Sequence, residues 1–156
     1  MLEILVRTAM LSDLPVLRIF EQGVIAAERP FNPQIQKDPV HYYDIEELVS
    51  APHIEIVVAE TDGRLVGSGY ARIEQARHYL KHQQHAYLGF MYVEPEYRGR
   101  GVNRKIIEAL RQWAIARNIN ELRLDVYEEN IAAIKAYEKA GFVKHLVAMR
   151  RSTGKD

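Results

Sequence analysis

The 156-residue chain contains no cysteine, and that absence removes several chemistries at once. A disulfide framework, a thiolate zinc site and a cysteine nucleophile are all excluded, so catalysis must draw on other groups. Long apolar runs are missing too. No stretch approaches the 18 residues of a membrane-spanning helix, and Met1-Leu2-Glu3-Ile4 lacks the basic region and apolar core of a secretory leader. A cytoplasmic protein is the expectation. Nor is there an excess of charge of one sign, since 21 Lys and Arg balance 21 Asp and Glu. Bulk electrostatics therefore give no reason to expect nucleic acid or an acidic membrane as partner. Internal repeats, low-complexity tracts and linkers are absent.

What is present suits a small globular enzyme. With 47% hydrophobic and 27% charged residues, the chain reads as one domain over residues 1–150, able to bury about 70% of its unfolded surface. Residues 151–156 are expected to fray. Residues 3–8 alternate as a strand. Ser12 is placed as the N-cap of a helix burying Leu14, Leu17, Phe20 and Val24, which Arg29-Pro30-Phe31-Asn32-Pro33 breaks. A shorter helix is predicted over residues 40–49 and a strand over 54–59. Asp62-Gly63 then turns a hairpin into a strand over 65–73. Further strands are predicted at 87–93, 121–127 and 143–150, with helices after Gly101 and over 130–140, the last stopped by Gly141. This order implies an α/β (α+β) domain with a mixed sheet and helices on its faces.

The most informative stretch is Arg98-Gly99-Arg100-Gly101-Val102-Asn103-Arg104-Lys105-Ile106. It follows an apolar strand and the turn Glu94-Pro95-Glu96-Tyr97, and it opens a helix whose Ile106, Ile107, Leu110, Trp113 and Ala114 share one face. Amides at a helix start lack intrahelical partners, two glycines let main chain approach a ligand, and four cationic side chains surround the turn. A phosphate or pyrophosphate fits there. The other reading is a basic loop ending a strand. The spacing matches neither the nucleotide-triphosphate loop nor the dinucleotide fingerprint.

It resembles instead the Arg-x-x-Gly-x-Gly/Ala signature of the GNAT superfamily of N-acetyltransferases, with Arg98 first and Gly101 fourth. Asn103 departs from the last small position. Ile4-Leu5-Val6-Arg7-Thr8-Ala9 with Asp13-Leu14-Pro15, and the block from Asn130-Ile131-Ala132-Ala133 through Ala136-Tyr137 to Gly141-Phe142, extend the resemblance over most of the chain. It implies a single-domain, mostly antiparallel sheet with helices on both faces and a central splay between two parallel strands, here those ending near Val93 and Tyr127. It also implies acetyl-CoA as cosubstrate, held in that splay, and direct attack by an acceptor amine. Main chain of Met91, Tyr92 and Val93 would bind the pantetheine and polarise the thioester. Amides of Arg98, Gly99, Arg100, Gly101, Val102, Asn103 and Arg104 would hold the pyrophosphate. Asn130 matches the residue that bonds the cofactor arm, or is simply a helix N-cap. Tyr137 matches the tyrosine that protonates the departing sulfur and lies against the cofactor, or else packs in the core.

The general base is not fixed by the resemblance. A lysine-like amine of pKa about 10.4 is neutral in only about one molecule in 2,500 at pH 7, so the need for a base depends on the acceptor. Glu28, at the helix break on the acceptor side, leads the candidates, followed by Tyr92, Glu94 and His85. The acidic group Asp38, Asp44, Glu46 and Glu47 could attract a cationic acceptor but reads better as the charged outer face of a short helix, and His41, Tyr42 and Tyr43 beside it are candidates for a pocket wall. His78, His82 and His85 at i, i+4 and i+7 have a metal-like spacing, but the polar segment 75–84 reads better as a solvated turn, and no metal is expected. The sequence thus points to an N-acetyltransferase acting on a primary amine of a small molecule or peptide. The alternatives are a catalytically silent acyl-CoA-binding or sensor domain and a metal-binding interaction module. The resemblance also admits a homodimer paired through the C-terminal strands.

Overall fold

Residues 54–61 are apolar on both faces, which requires a layer above and a layer below the strand they form. In the computed structural model, which describes residues 2–155, they are β2 (Ile54–Thr61), lying between β1 (Leu5–Thr8) and β3 (Arg64–Gln75). β4 (Gln84–Val93) continues antiparallel beside β3, and β5 (Leu122–Arg123) pairs parallel to β4. Asp62 and Gly63 turn the β2 to β3 hairpin with φ of 52° and 73°, the left-handed pair that matches strand twist. On one face α1 (Leu14–Glu28) and α2 (Ile45–Ser50) press Leu17, Phe20, Ile45 and Leu48 onto Ile56, Val58 and Phe90. On the other, α3 (Val102–Ile115) sets Val102, Ile106, Leu110 and Ala114 onto Val57, Ala59, Val66 and Leu88. α4 (Ile131–Lys139) follows β5. The mixed, mostly antiparallel sheet with helices on both faces is as expected.

Two helix starts differ from expectation. Asp13, not Ser12, precedes α1, and its buried carboxylate accepts the Met10 amide at 2.7 Å and a two-pronged contact from Arg7 at 2.9 and 3.0 Å. A carboxylate can take all three donors, whereas a serine hydroxyl cannot. α2 begins at Ile45 instead of residue 40, capped by the Asp44 side chain on the Glu47 amide.

β4 carries one residue more than β3 can pair. Ser68 opposes Tyr92 and Tyr70 opposes Gly89, so Gly69 alone faces Phe90 and Met91. This β-bulge puts Phe90 at φ 55°, a conformation that a bulky side chain adopts only under external constraint. The constraint is visible. The buried Ser68 hydroxyl donates to the Phe90 carbonyl at 3.0 Å. A Cβ on Gly69 would come within 2.7 Å of Ile106 and 2.8 Å of the Met91 sulfur, so only glycine leaves room for both.

Two strands predicted from alternation do not form as drawn. The β4 to β5 ladder holds only Ala86 with Leu122 and Tyr87 with Arg123, not residues 121–127. Past Arg123 the chain takes side-chain partners instead: the Tyr87 hydroxyl donates to Asp125 at 3.1 Å, and the Tyr127 hydroxyl accepts from Asn32 at 2.8 Å. Residues 143–150 are no strand either. Alternation specifies a strand's faces but not its partner, and no neighbour takes this segment among the described residues. Val143, Leu146, Val147 and Met149 stand 83, 86, 69 and 92% exposed.

Candidate active site

The site follows from β4 parting company with β5. After Tyr87 no ladder joins them, so the stretch of β4 that carries the bulge borders an opening. Met91 and Val93 pack toward the α3 side, while Tyr92 packs on the α1 side. The Tyr92 ring lies 4.9 Å from Phe20, and a Cβ on Gly23 would strike it at 2.5 Å. Its side chain is therefore a packing element, and main chain is what this strand offers a ligand.

At the end of β4 the Glu94 amide bonds to the Val66 carbonyl at 2.8 Å, and Pro95–Tyr97 makes a 3₁₀ turn. Arg98 turns back, its Nε donating to the Val93 carbonyl at 2.9 Å. Gly99 and Gly101 take φ of 74° and 85°, and a Cβ at either would meet nothing within 4 Å. Gly101 is the N-cap of α3 with no side-chain cap on the first-turn amides. Open space, bare amides and the exposed side chains of Arg98, Arg100 and Arg104 together suit a diphosphate. Asn103 is half-buried there. Lys105 is not part of the cluster, since its Nζ reaches back 3.4 Å to the Ile4 carbonyl. These residues fit the anionic end of CoA.

The side of the opening expected to face an acceptor is lined by the C-terminal end of α1. Glu28 is half-buried there, and burial raises its pKa while the neighbouring Tyr42 hydroxyl pulls the other way. Tyr42, Tyr43 and Tyr137 all feel its charge, and all three phenols are raised, chiefly by burial. Tyr137 is pushed up to about 12, so at neutral pH it holds a proton to donate. Its ring rests edge-on against Phe142 at 5.8 Å. Asn32 ties the α1 side to Tyr127 across the opening, and Phe31 stacks on the same ring at 6.2 Å. Asn130 caps α4, its Oδ1 accepting the Ala133 amide at 3.2 Å, which leaves the Nδ2 group for a ligand.

The structure thus brings Glu28 of α1 close enough to Tyr137 of α4, far along the chain, for the Glu28 charge to act on the Tyr137 phenol. His85 does not belong with them. It stands six residues before Met91, about 20 Å along an extended strand, and faces Glu74 at 3.4 Å. The histidine segment is the β3 to β4 connection, closed by Ala76 and Gln83 at 2.9 Å, and is not helical. Among the described residues no group of three potential ligands is arranged for a metal. Sequence reasoning missed the bulge at Phe90 and the part Tyr127 plays. The Asn32 to Tyr127 bond spans 95 residues and has no local signal.

The chain matches the acetyltransferase (GNAT) family over residues 22–142. It is 30% identical over 109 residues to the aminoglycoside N(6')-acetyltransferase type 1 of Salmonella typhimurium, covering 67% of this chain and 73% of that protein. An acetyltransferase of Yersinia pestis is 35% identical over 128 residues, covering 79% of this chain and 80% of its own length. Among solved structures, the aminoglycoside N-acetyltransferase AAC(6')-Iy with a bisubstrate analogue, CoA-S-monomethyl-acetylneamine, superposes with a TM-score of 0.75. It is 24% identical, over 96% of this chain and 98% of that one, which speaks to the fold.

The environment of Glu28 sets a sign for stability. A carboxyl whose folded pKa lies above its ordinary value of 4.5 binds its proton more tightly in the fold. Its contribution to stability therefore falls as pH rises from the unfolded value through the folded one. Glu28→Gln should melt higher than the parent at pH 7.5, with the gap narrowing as pH falls toward 4.5. Melting curves across that range check it, and a gap that widens on acidification would contradict the burial effect.

Proposed function

We propose, from the premise that this chain belongs to the acetyltransferase (GNAT) family and is an acetyl-CoA-dependent N-acetyltransferase, that it acetylates a primary amine of a small cationic molecule. The observation that carries this reading is the half-buried Glu28 carboxylate, set among Tyr42, Tyr43 and Tyr137 at the mouth of the β4 to β5 opening. An ammonium group is the natural occupant of an acidic, aromatic wall. An aminosugar is the first acceptor to test, because a relative at 30% identity is named for aminoglycosides.

Acetyl-CoA, when bound, supplies an acetyl group on a thiol leaving group. Main chain of Met91, Tyr92 and Val93 lines the pantetheine and donates toward the thioester carbonyl, where charge develops during attack. Amides from Arg98 to Arg104 hold the diphosphate, and Asn130 Nδ2 bonds the arm between. Glu28 accepts the proton that the bound ammonium must lose before its amine attacks, a task favoured by a carboxyl pKa raised by burial. The Tyr137 phenol gives its proton to the departing sulfur. Residues 1–150 form the working domain and 151–156 a tail; the reaction as written requires no metal, and the cytoplasm is its setting. No helix among the described residues is long and apolar enough to cross a membrane.

A second copy of the chain completes this reading. Four apolar side chains, Val143, Leu146, Val147 and Met149, are exposed on a segment without regular secondary structure, and β5 is an edge of the sheet. An exposed apolar segment and an unpaired sheet edge in one chain favour pairing between copies.

Three outcomes are expected. Acetyl-CoA should raise the melting temperature of the parent and of Gly101→Ala, whose left-handed backbone costs about 1–2 kcal/mol, but not of folded Gly101→Glu. A retained shift in the last would place the diphosphate elsewhere. Tyr137→Phe should keep CoA affinity and lose about 100-fold in single-turnover acetylation, the lower end for a general acid because a thiol of pKa near 8.5 already leaves readily. Neamine, polyamines, amino acids and N-terminal peptides form the acceptor panel, and undiminished transfer to the best of them would reduce Tyr137 to packing. Light scattering should find a dimer that Leu146→Asp with Val147→Asp converts to monomer, and a monomeric parent would refute the pairing.

A further inference from the structure

Glu21 is 1% exposed in the middle of α1, where a carboxylate needs every lone pair engaged. Its partners lie on the segment that leads into α2. Oε2 accepts the Tyr42 amide at 3.0 Å and the Tyr43 amide at 2.8 Å, and Oε1 lies 3.0 Å from Nδ1 of the exposed His41. Both amides lie ahead of α2, which starts at Ile45 after its Asp44 cap, so the carboxylate holds the segment that leads into that helix.

The two residues so held reach opposite parts of the site. The Tyr43 ring stacks on Phe90, the bulge residue, at 4.5 Å and 18°. The Tyr42 hydroxyl faces Glu28, which lies seven residues from Glu21 and so on the same face of α1. Other ties to this segment are exposed, namely Gln22 to the Val40 carbonyl at 2.9 Å and Arg29 to Asp38 at 2.8 Å. Such contacts are weak when solvated. The buried carboxylate dominates.

We propose that Glu21 is a positioning residue for the acceptor: through the Tyr42 and Tyr43 amides it fixes one wall of the pocket against both Glu28 and the bulge of β4. It touches neither substrate itself. This rests on the acceptor side assigned above, and it predicts a specificity and turnover role for a residue outside that pocket.

The test uses two substitutions of similar size. Glu21→Gln can place its amide oxygen at the Oε2 position, keep both tyrosine amides and turn its amide nitrogen toward His41. Glu21→Met fills the space and leaves two buried amides without an acceptor. With the best amine of the panel, Glu21→Met should raise the acceptor KM or lower kcat so that kcat/KM falls roughly 10-fold or more. Glu21→Gln should stay near the parent, and both should bind CoA as the parent does. Equal losses in the two variants, or a matching loss of CoA affinity, would overturn the proposal in favour of a general structural role. If no amine in the panel is acetylated, the acceptor assignment fails on its own, and NMR of the CoA-loaded proteins still decides: Phe90 and Glu28 resonances should move in Glu21→Met and not in Glu21→Gln, and resonances unmoved in both would overturn it. Should Glu21→Met not fold, amide exchange in the parent is the measure. Protected Tyr42 and Tyr43 amides are expected, and exchange as fast as in open chain would refute the proposal.

Discussion

One surplus residue in β4 governs the arrangement of the whole site. Because Gly69 must face both Phe90 and Met91, the strand bends, its hydrogen bonding to β3 is interrupted, and its outer edge departs from β5. Were the register regular, the parallel ladder could continue past Tyr87 and there would be no opening to hold an extended cosubstrate. The conformation is held from three sides: the Ser68 hydroxyl on the Phe90 carbonyl, the Tyr43 ring on the Phe90 ring, and Ile106 against the missing side chain of Gly69. Strain of this kind persists only where its surroundings over-determine it.

Around that strand the two faces of the sheet divide the work. The α3 face supplies the anion end, where a left-handed glycine opens a helix whose remaining length is buried by Ile106, Leu110 and Ala114. The α1 face supplies the end proposed for the acceptor, where a single helix carries a fully buried carboxylate and, two turns later, a half-buried one. The first is saturated with donors and the second is not. Full hydrogen bonding makes the former an anchor, and partial desolvation raises the pKa of the latter.

Legibility in the sequence tracked locality. The hairpin at Asp62-Gly63, the α3 face and the Arg98 to Arg104 turn are written in adjacent residues and were read correctly as structure. The C-terminal cap at Gly141, with φ 98°, was too. Alternation in 121–127 and 143–150 was equally clear but misleading, because a ladder depends on which edge is offered, and that is decided elsewhere in the chain. Glu21 escaped notice since a lone acidic residue beside Phe20 looks like the polar margin of a helix. Its donors lie 21 and 22 positions away. Phe90 gave no sign at all, for aromatic residues ordinarily favour regular strand.

A protein without thiols is not thereby indifferent to oxidants. The Met91 sulfur occupies the clearance that Gly69 provides, beside Ile106 and on the strand that lines the opening. Conversion to the sulfoxide adds a polar oxygen and a stereocentre to a contact with no slack. The bulge is then the first element to be displaced, so peroxide damage reaches this site through a thioether, and a methionine sulfoxide reductase, not a disulfide reductant, is the repair it would need.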